Sequence, residues 1–283
     1  MSHKLTNDWL EFARDPRSGT EAVRACFHAH AYDPHFHDQV LVGVTEQGVQ
    51  QFRCRRAVHR STPGRLIFFE PGDTHDGEAR EPDGFIYTML YFDPRWLRDA
   101  AALYAGRAPA DTIFHFPRTL DDDAALAQTV RRVRQQIATP DSRMAREAAL
   151  DAVVARLAQR FAGSAERQHQ APRAAKLARE AMDAGFDRDL GLDDLATAAG
   201  TDRFRLTRAF SAAYGLSPHA YLVQRRLNHA RTLLACGDAP ADVAAATGFA
   251  DQSHLGRWFR RAFGMTPAAY RRLCTNLPDA ATA

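Results

Sequence analysis

The chain has 283 residues and a formal net charge of +3, and 45% of its residues are hydrophobic while 25% are charged. This composition is typical of a globular protein with packed cores, and it excludes a disordered chain. No apolar run approaches the roughly 20 residues that a membrane-spanning helix needs, which excludes an integral membrane protein. At about 100 to 200 residues per domain, the length predicts two domains. Residues 1–10 lack the apolar stretch of a secretory signal, so a cytoplasmic protein is expected.

Short β-prone runs, separated by Gly and Pro turn signals, occupy residues 40–92. The runs are Val40–Thr45, Val49–Arg53, Arg65–Phe69 and Phe85–Phe92. Several short strands at nearly regular spacing predict a small sandwich or barrel.

Two amphipathic helices are predicted after the strands, over Leu120–Ile137 and Ser142–Phe161. Their apolar stripes have two interpretations, since they can form the seam of a dimer or pack against the strands as core. The stripes show no sustained heptad, which disfavours a long coiled coil, and we favour a homodimer. The polar segment 163–172 has no periodicity and ends in Pro172, so it is predicted to be a linker.

The helical segment after the linker contains an internal repeat. The motifs Leu195-Ala196 and Ala199-Gly200 recur 48 residues later as Val243-Ala244 and Thr247-Gly248. Seven further residues recur at an offset of 49, namely Asp202, Leu206, Arg208, Phe210, Gly215, Pro218 and Tyr221, which reappear as Asp251, Leu255, Arg257, Phe259, Gly264, Pro267 and Tyr270. Each copy is read as a helix, a turn containing Gly and a second helix that an Asp caps, which is the sequence form of a helix-turn-helix.

The second helix of each copy carries arginine on its outward face. At 100° per residue, Leu206 and Phe210 share one stripe while Arg208 points to the opposite side, and Arg257 has the same phase in the second copy. Arginine donates bidentate hydrogen bonds to guanine edges. Residues 203–272 contain 11 Arg, 3 Asp and no Lys or Glu, which is typical of a surface that meets phosphates. A merely solvated face explains one such helix, but two copies in register favour DNA binding.

Residues 176–273 resemble the DNA-binding domain of AraC/XylS-type transcriptional regulators. The motifs that carry the resemblance include Leu192-Asp193-Asp194-Leu195-Ala196, Gly215-Leu216-Ser217-Pro218, Gly248-Phe249, Phe259-Arg260-Arg261 and Phe263-Gly264. The resemblance implies two helix-turn-helix units in successive major grooves of double-stranded operator DNA, about 34 Å apart. It also implies that bases are read by Phe204, Thr207, Arg208, Gln252, Ser253, His254, Gly256 and Arg257. Gly256 has no side chain to contribute, so weak specificity is expected in the second groove.

The N-terminal part resembles the cupin-type ligand-binding domain that precedes such DNA-binding domains. His35 and His37 project from one face of a strand because side chains alternate along it, and His75 follows a Pro-Gly turn. These positions resemble the two short motifs of a cupin barrel. A metal-binding cupin would also carry a Glu where this chain has Leu41 and Val42.

Three interpretations of His35, His37 and His75 stay open. They can line the pocket of an effector, hold zinc or iron, which imidazole suits, or be structural. The missing carboxylate weakens the metal interpretation, so we favour a pocket for a small polar or anionic metabolite. We predict no bound metal and no cofactor.

Three functions compete for the whole chain. The first is a transcriptional regulator, with activation favoured, whose operator binding responds to a small polar metabolite. The second is a metal-dependent cupin enzyme tethered to DNA, and the third is an architectural DNA-binding protein. No nucleophile constellation, Gly-rich phosphate loop or general-acid pair is evident, so we predict that the chain is not an enzyme. The predicted partners are operator DNA, a small-molecule effector, RNA polymerase and a second copy of the chain, with no membrane.

The predicted fold class is an α+β multidomain protein with an N-terminal small β-barrel, flanking helices and a C-terminal all-α domain with two helix-turn-helix units. The predicted segments are an N-terminal arm at 1–19, a cupin-like effector-binding barrel at 20–95, a helical dimerisation or packing segment at 96–162, the linker at 163–172, the DNA-binding domain at 173–273 and a tail at 274–283. Four cysteines without paired spacing are predicted to be free thiols, and they are Cys26, Cys54, Cys236 and Cys274.

Overall fold

The computed structural model describes residues 8–28, 30–80, 82–105, 109, 113–138, 143–163 and 171–275. The chain folds into two compact units, one formed mainly by residues 1–166 and the other mainly by residues 167–276. Most of the predicted linker and of the predicted tail, and the first seven residues of the predicted arm, lie outside the described residues. Within the described ranges, every helix is too short or too polar to span a membrane.

Within the described ranges, the first unit is rich in β-structure, as the sequence predicted, and three helices accompany its strands. The strands are β1 (Trp9–Arg14), β2 (Glu21–Phe27), β3 (His30–His35), β4 (Val40–Gly48), β5 (Gln50–Cys54), β6 (Ala57–Ser61), β7 (Leu66–Phe69), β8 (His75–Ala79), β9 (Phe85–Phe92), β10 (Ile113–Phe114), β11 (Leu120–Asp121) and β12 (Ala162–Gly163). The helices are α1 (Pro94–Ala105), α2 (Ala124–Ala138) and α3 (Arg143–Phe161).

The strands form two main sheets rather than a closed barrel. One sheet has six strands in the order β1-β2-β9-β4-β7-β11, and the other has four in the order β3-β8-β5-β6. Among the described residues, no strand is hydrogen-bonded into both sheets, so the predicted barrel is an open sandwich. Strand β3 pairs with β8 in the four-stranded sheet, and we therefore treat its last residue, His35, as part of the first unit.

One face of the six-stranded sheet packs on the helices. Ala22, Leu90, Val42 and Phe68 are aligned across four neighbouring strands, and side chains directly opposite each other lie on the same face. All four belong to one buried cluster with apolar residues of α1, α2 and α3. The apolar stripes of the helices are therefore used inside the subunit as core, and a dimer seam stays a prediction.

The two predicted helices differ from the observed ones at their starts. Leu120 and Asp121 form β11, and α2 begins only at Ala124. Helix α3 begins within one residue of the prediction, and Met144 in its first turn is 80% exposed. The buried positions from Ala149 onward define the face, because they meet the sheet and α2.

The second unit consists of helices, as predicted. They are α4 (Arg173–Ala184), α5 (Leu192–Ala198), α6 (Arg203–Tyr214), α7 (Pro218–Cys236), α8 (Pro240–Ala246), α9 (Gln252–Phe263) and α10 (Pro267–Thr275). We call α5 with α6 the first helix-turn-helix unit and α8 with α9 the second. Each unit places its two helices on either side of a turn that contains a left-handed glycine, Gly200 or Gly248.

All four cysteines are free thiols, as predicted. Cys26, Cys54 and Cys274 are buried, whereas Cys236, at the end of α7, is exposed. Burial raises the pKa of Cys26 and raises the pKa of Cys54 to about 12, so these two thiols stay protonated at neutral pH.

Candidate DNA-binding surface and effector site

Helix α6 is capped at both ends and buries the stripe that the sequence predicted. The carboxylate of Asp202 accepts hydrogen bonds from the backbone N–H groups of Phe204 (3.0 Å) and Arg205 (2.9 Å). Leu206 and Phe210 are fully buried. This confirms the predicted phase of the helix and leaves its opposite face toward solvent.

Helix α9 repeats this construction. Its Asp251 carboxylate accepts a hydrogen bond of 2.6 Å from the backbone N–H of His254, and Gly264 ends the helix with φ at 70°. Leu255 and Phe259 are fully buried. The inward residues of the two helices are therefore equivalent, as the repeat predicted.

The residues predicted to read bases on α6 lie together on its surface. Phe204 is 67% exposed, and Arg208 is exposed with no acidic partner among the described residues. The hydroxyl of Thr207 donates to the carbonyl oxygen of Arg203 at 2.8 Å, so its methyl group is what the helix presents. Together with Leu192, these side chains line an open groove on the surface.

The residues predicted to read bases on α9 divide into two groups. Gln252, Ser253 and Arg257 are exposed, and Arg257 has no acidic partner in the part of the chain that the structure describes. Gly256 lies within the helix, and a Cβ atom added there would meet open space. Its lack of a side chain is therefore not a requirement of packing inside the chain.

Among the described residues, neighbouring side chains hold the ring of His254, another residue predicted to read bases on α9. The indole Nε1–H of Trp258 donates to its Nε2 at 2.9 Å, and its ring meets Phe249 edge to face at a centroid distance of 5.4 Å. In the neutral ring the proton then lies on Nδ1, which leaves one donor in a fixed direction. The sequence prediction missed Trp258, although its spacing of four residues from His254 places both on one face of the helix.

The turn of the second helix-turn-helix unit packs more closely than that of the first. Gly200 and Gly248 have φ of 65° and 74°. A Cβ atom at Gly200 would meet open space, whereas one at Gly248 would lie 2.7 Å from the carbonyl oxygen of Asp187. Arg226 holds this neighbouring loop, because its Nε donates to the carbonyl oxygen of Phe186 at 2.7 Å.

Equivalent tyrosines in the two helix-turn-helix units form hydrogen bonds with side chains of opposite charge. The hydroxyl of Tyr221 donates to the carboxylate of Asp183 at 2.8 Å, and Arg225 pairs with the same carboxylate at 2.9 Å. The hydroxyl of Tyr270 instead accepts a hydrogen bond of 3.2 Å from Nε of the buried Arg231. Burial raises the pKa of Tyr221 above its ordinary value.

The three histidines predicted to bind an effector come together in the first unit. His35 ends β3, His37 lies two residues further on, and His75 begins β8. Each offers one ring nitrogen, and the three nitrogens all lie within 4.8 Å of one another. All three side chains are buried, with exposed fractions of 5 to 7%. We call these residues the histidine cluster.

The six-stranded sheet lies against the histidine cluster with an apolar and aromatic row. The ring of His75 stacks on Phe69 at a centroid distance of 3.8 Å, and His37 meets Tyr91 edge to face at 5.3 Å. Leu41 pairs in register with both Phe69 and Tyr91, so its side chain lies on the same face as theirs.

The two positions at which a cupin would carry its carboxylate lie on opposite faces of the sheet. Leu41 lies on the face toward the histidine cluster, whereas Val42 lies in the core with the helices. One strand beyond Tyr91 in the same row is Glu21, which is 5% exposed and whose carboxylate lies 4.0 Å from Nε of Arg14. The sequence prediction missed this buried acid, because only the pairing register shows which face it shares.

Comparison with known proteins assigns both units. A model of the AraC-like ligand binding domain matches residues 18–154, and a model of a helix-turn-helix domain matches residues 195–273. The chain belongs to the AraC family of transcriptional regulators. This AraC-type chain is 24% identical to the uncharacterized HTH-type transcriptional regulator YbfI of Bacillus subtilis, over 89% of the chain and 91% of YbfI. It is 30% identical to the transcriptional activator NphR of a Rhodococcus species, over 74% of the chain and 65% of NphR.

Solved structures of ToxT from Vibrio cholerae share the fold of this AraC-type chain. One of them superimposes with a TM-score of 0.54 at 11% identity, covering 90% of the chain and 97% of ToxT. A second, which contains an unsaturated fatty acid, has the same TM-score and covers 98% of the chain and 99% of ToxT.

Proposed function

We propose that the chain is a transcriptional activator that reads operator DNA through α6 and α9, and whose DNA binding responds to a small polar or anionic molecule at the histidine cluster. It acts as a homodimer in the cytoplasm and contacts RNA polymerase, and it has no catalytic role. Activation is supported by the name of NphR, a transcriptional activator. An anionic effector is supported by the fatty acid, a carboxylate, that one ToxT structure contains.

The observation that carries the DNA-binding proposal is the pair of equivalent arginines. Arg208 and Arg257 occupy the same position on two helices with the same caps and the same buried residues. Both guanidinium groups are exposed without acidic partners among the described residues, so no ion pair has to break before they reach DNA. Bidentate hydrogen bonds from each would fix one guanine in each major groove.

DNase footprinting on the DNA upstream of the gene tests this proposal at a stated salt concentration. Arg208→Ala should weaken binding by about 1 to 3 kcal/mol, or roughly 5- to 150-fold, and should relax discrimination at one base pair. Arg205→Ala on the same helix is the matched control, because Arg205 is paired with Asp202 at 3.3 Å. The control should weaken binding to all sequences alike. A footprint and a base preference that Arg208→Ala leaves unchanged would refute the role of Arg208.

The effector response is tested by combining His35→Ala with His75→Ala. The double variant should keep its affinity for the operator and lose the change in footprint that a metabolite fraction produces in the native chain. The helical content, measured by circular dichroism, is the control for folding. A double variant that folds, binds DNA and still responds to the metabolite would exclude these histidines from the effector site.

A further inference from the structure

The ring of His254 on α9 is held by two aromatic side chains. The indole Nε1–H of Trp258, one turn further along the helix, donates to Nε2 of the ring at 2.9 Å. Phe249, in the segment between α8 and α9, is buried and meets the same ring edge to face, with a centroid distance of 5.4 Å and an interplanar angle of 88°. A buried ring and a hydrogen bond therefore fix the position and the rotation of the imidazole.

The hydrogen bond from Trp258 also determines which ring nitrogen of His254 carries the proton. An indole nitrogen only donates, so Nε2 accepts with its lone pair and the proton of the neutral ring lies on Nδ1. A protonated imidazole carries hydrogen on both nitrogens and offers no acceptor to the indole. The hydrogen bond with Trp258 therefore holds His254 as a neutral side chain with a single N–H donor.

The Nδ1–H group of His254 is open to a ligand. Among the described residues, Nδ1 has no hydrogen-bond partner, whereas Nε2 has one. The side chain is half-buried, and within the described ranges Nδ1 is not one of the buried polar atoms that lack a partner, so it reaches solvent. The exposed Arg257 is three residues further along the helix, which makes the two side chains neighbours on its surface. The free donor therefore lies beside an arginine that the proposed function places in a major groove.

The first helix-turn-helix unit has no equivalent of this aromatic pair. At the offset of the repeat, His254 corresponds to Arg205 and Trp258 corresponds to Ala209. The guanidinium of Arg205 lies 3.3 Å from the carboxylate of Asp202, which caps α6. The hydrogen-bonded pair is therefore particular to the second unit, and the framework that the two units share does not explain it.

A neutral N–H group distinguishes cytosine from the other bases. In the major groove, guanine presents the acceptors N7 and O6, adenine presents N7 and thymine presents O4, whereas cytosine presents only its N4 amino group, a donor. A phosphate oxygen also accepts, but hydrogen bonds that involve a charged donor are roughly twice as strong as neutral ones. A phosphate is therefore bound better by a cation than by a ring that is kept neutral, and the neutral form favours a base edge.

We propose that Trp258 is a positioning residue for base recognition. It holds His254 as a neutral Nδ1–H donor, and this donor pairs with an acceptor on a base edge in the groove that α9 enters, so that cytosine is disfavoured at that position. The proposal rests on the proposed function, since it requires α9 to lie in a major groove. It gives the second unit a sequence preference in addition to that of Arg257, where Gly256 led us to expect weak specificity.

The first test uses the full-length native chain without DNA. In a chain labelled with ¹⁵N-histidine, long-range ¹H–¹⁵N correlation spectra distinguish protonated from unprotonated ring nitrogens, and the spectrum of His254→Asn identifies the resonances of His254. The native chain should show hydrogen on Nδ1 and none on Nε2. In Trp258→Phe, which keeps an aromatic ring but has no N–H, both resonances should move toward the average of two tautomers. Hydrogen on Nε2 in the native chain, or an unchanged tautomer in Trp258→Phe, would overturn the proposal.

The second test measures base preference, by selection from operator DNA that is randomised in the half-site of α9. The native chain should disfavour cytosine at one position by roughly 2- to 12-fold, the value of one hydrogen bond. His254→Ala should lose this preference. Trp258→Phe should lose it as well, because the freed ring can also accept from N4 of cytosine, and so should replacement of Trp258 by benzothienylalanine, which keeps the shape and lacks the N–H. His219→Ala is the matched control and should keep the preference, since its ring also meets Trp258, at a centroid distance of 6.4 Å.

Footprinting of the same preparations separates this proposal from the proposed function. Specific operator binding by a native chain that accepts all four bases equally across this half-site would overturn the role of His254 and leave the regulator standing. Weaker binding of Trp258→Phe to all sequences alike, with the cytosine preference kept, would assign Trp258 a structural role and overturn its positioning role. A native chain without specific operator binding would overturn the proposed function, and the base contact of His254 with it.

Discussion

The two helix-turn-helix units share their caps and buried residues but differ in what surrounds them. The turn of the first unit is open at Gly200, whereas the turn of the second meets the carbonyl oxygen of Asp187. Tyr221 donates to an acid in the first unit, and Tyr270 accepts from an arginine in the second. The residues that define the motif are therefore repeated, while those that connect it to the rest of the domain are particular to each unit.

The outward faces of α6 and α9 differ in the same way. At the offset of the repeat, the exposed Phe204 corresponds to Ser253 and Thr207 corresponds to Gly256. Only the position of Arg208 and Arg257 is the same. The first helix-turn-helix unit therefore presents more apolar surface to a DNA groove than the second. The two helix-turn-helix units are expected to recognise different half-sites.

The largest difference in stability between the two helix-turn-helix units should follow substitution of their turn glycines. Gly248→Ala should destabilise the chain by about 3 kcal/mol, because the left-handed backbone and the contact with Asp187 both oppose a Cβ atom. Gly200→Ala should cost only about 1 kcal/mol, since the backbone conformation is its only penalty. Urea denaturation followed by circular dichroism measures both. Equal effects would show that the contact at Gly248 relaxes at no cost.

Exchange of the outward residues should change DNA binding without changing stability. Phe204→Ser, which gives the first unit the residue of the second, should weaken operator binding by about 1 to 2 kcal/mol because an apolar contact to a thymine methyl is lost. Its free energy of unfolding should change by less than about 0.5 kcal/mol, since the side chain is exposed. Ser253→Phe is the reciprocal control in an affinity titration. A large loss of stability in Phe204→Ser would instead assign Phe204 a structural role.

Tyr221 of the first helix-turn-helix unit should make the free energy of unfolding fall at alkaline pH. The pKa of Tyr221 is raised by burial, so above about pH 10 the unfolded chain releases a proton that the folded chain retains. The folded state should lose about 1 kcal/mol between pH 10 and pH 11 for this reason. Tyr221→Phe should remove this part of the loss in urea denaturation at each pH, while Tyr270→Phe should retain it. An identical pH profile in Tyr221→Phe and the native chain would contradict this account.

The smallest predicted effect on stability is that of Gly256→Ala, which tests whether DNA approaches α9 at this residue. Gly256→Ala should stabilise the chain by about 0.5 to 1 kcal/mol, because alanine is the better helix former and the added methyl group meets open space. Operator affinity should fall severalfold, since the methyl group enters the surface that faces DNA. Thermal unfolding and footprinting check the two signs. Higher stability with unchanged affinity would mean that DNA does not approach α9 at this residue.

The C-terminal unit was predictable because its signals are local. Asp202 and Asp251 at helix starts, Gly215 and Gly264 at helix ends, and the apolar spacing between them specify each helix within a few residues. Because the motif occurs twice in the chain, each copy supports the prediction made from the other. The partners of Tyr221 and Tyr270 were not predictable, because they lie on helices almost forty residues away.

The N-terminal unit was predictable only in part. Strand β9 was found with its observed bounds, since its eight residues are apolar or β-prone. The strand predicted to carry both His35 and His37 is β3, but it ends at His35 and leaves His37 outside, and β8 was missed because Gly77 has low strand propensity and polar residues surround it. They are strands because their partners hold them, as Cys54 pairs with His75 in register. The three histidines were named from the sequence, but their convergence depends on this pairing.

The exposed thiol of Cys236 allows the DNA-binding half of the molecule to be labelled without mutation. Thiol alkylation proceeds through the thiolate, and burial keeps Cys26 and Cys54 from forming it. Cys274 is also buried, so a maleimide dye should couple selectively to Cys236. The dye would lie at the end of α7, just before the second helix-turn-helix unit. The native chain thus offers a fluorescent reporter position from which operator binding can be followed in real time.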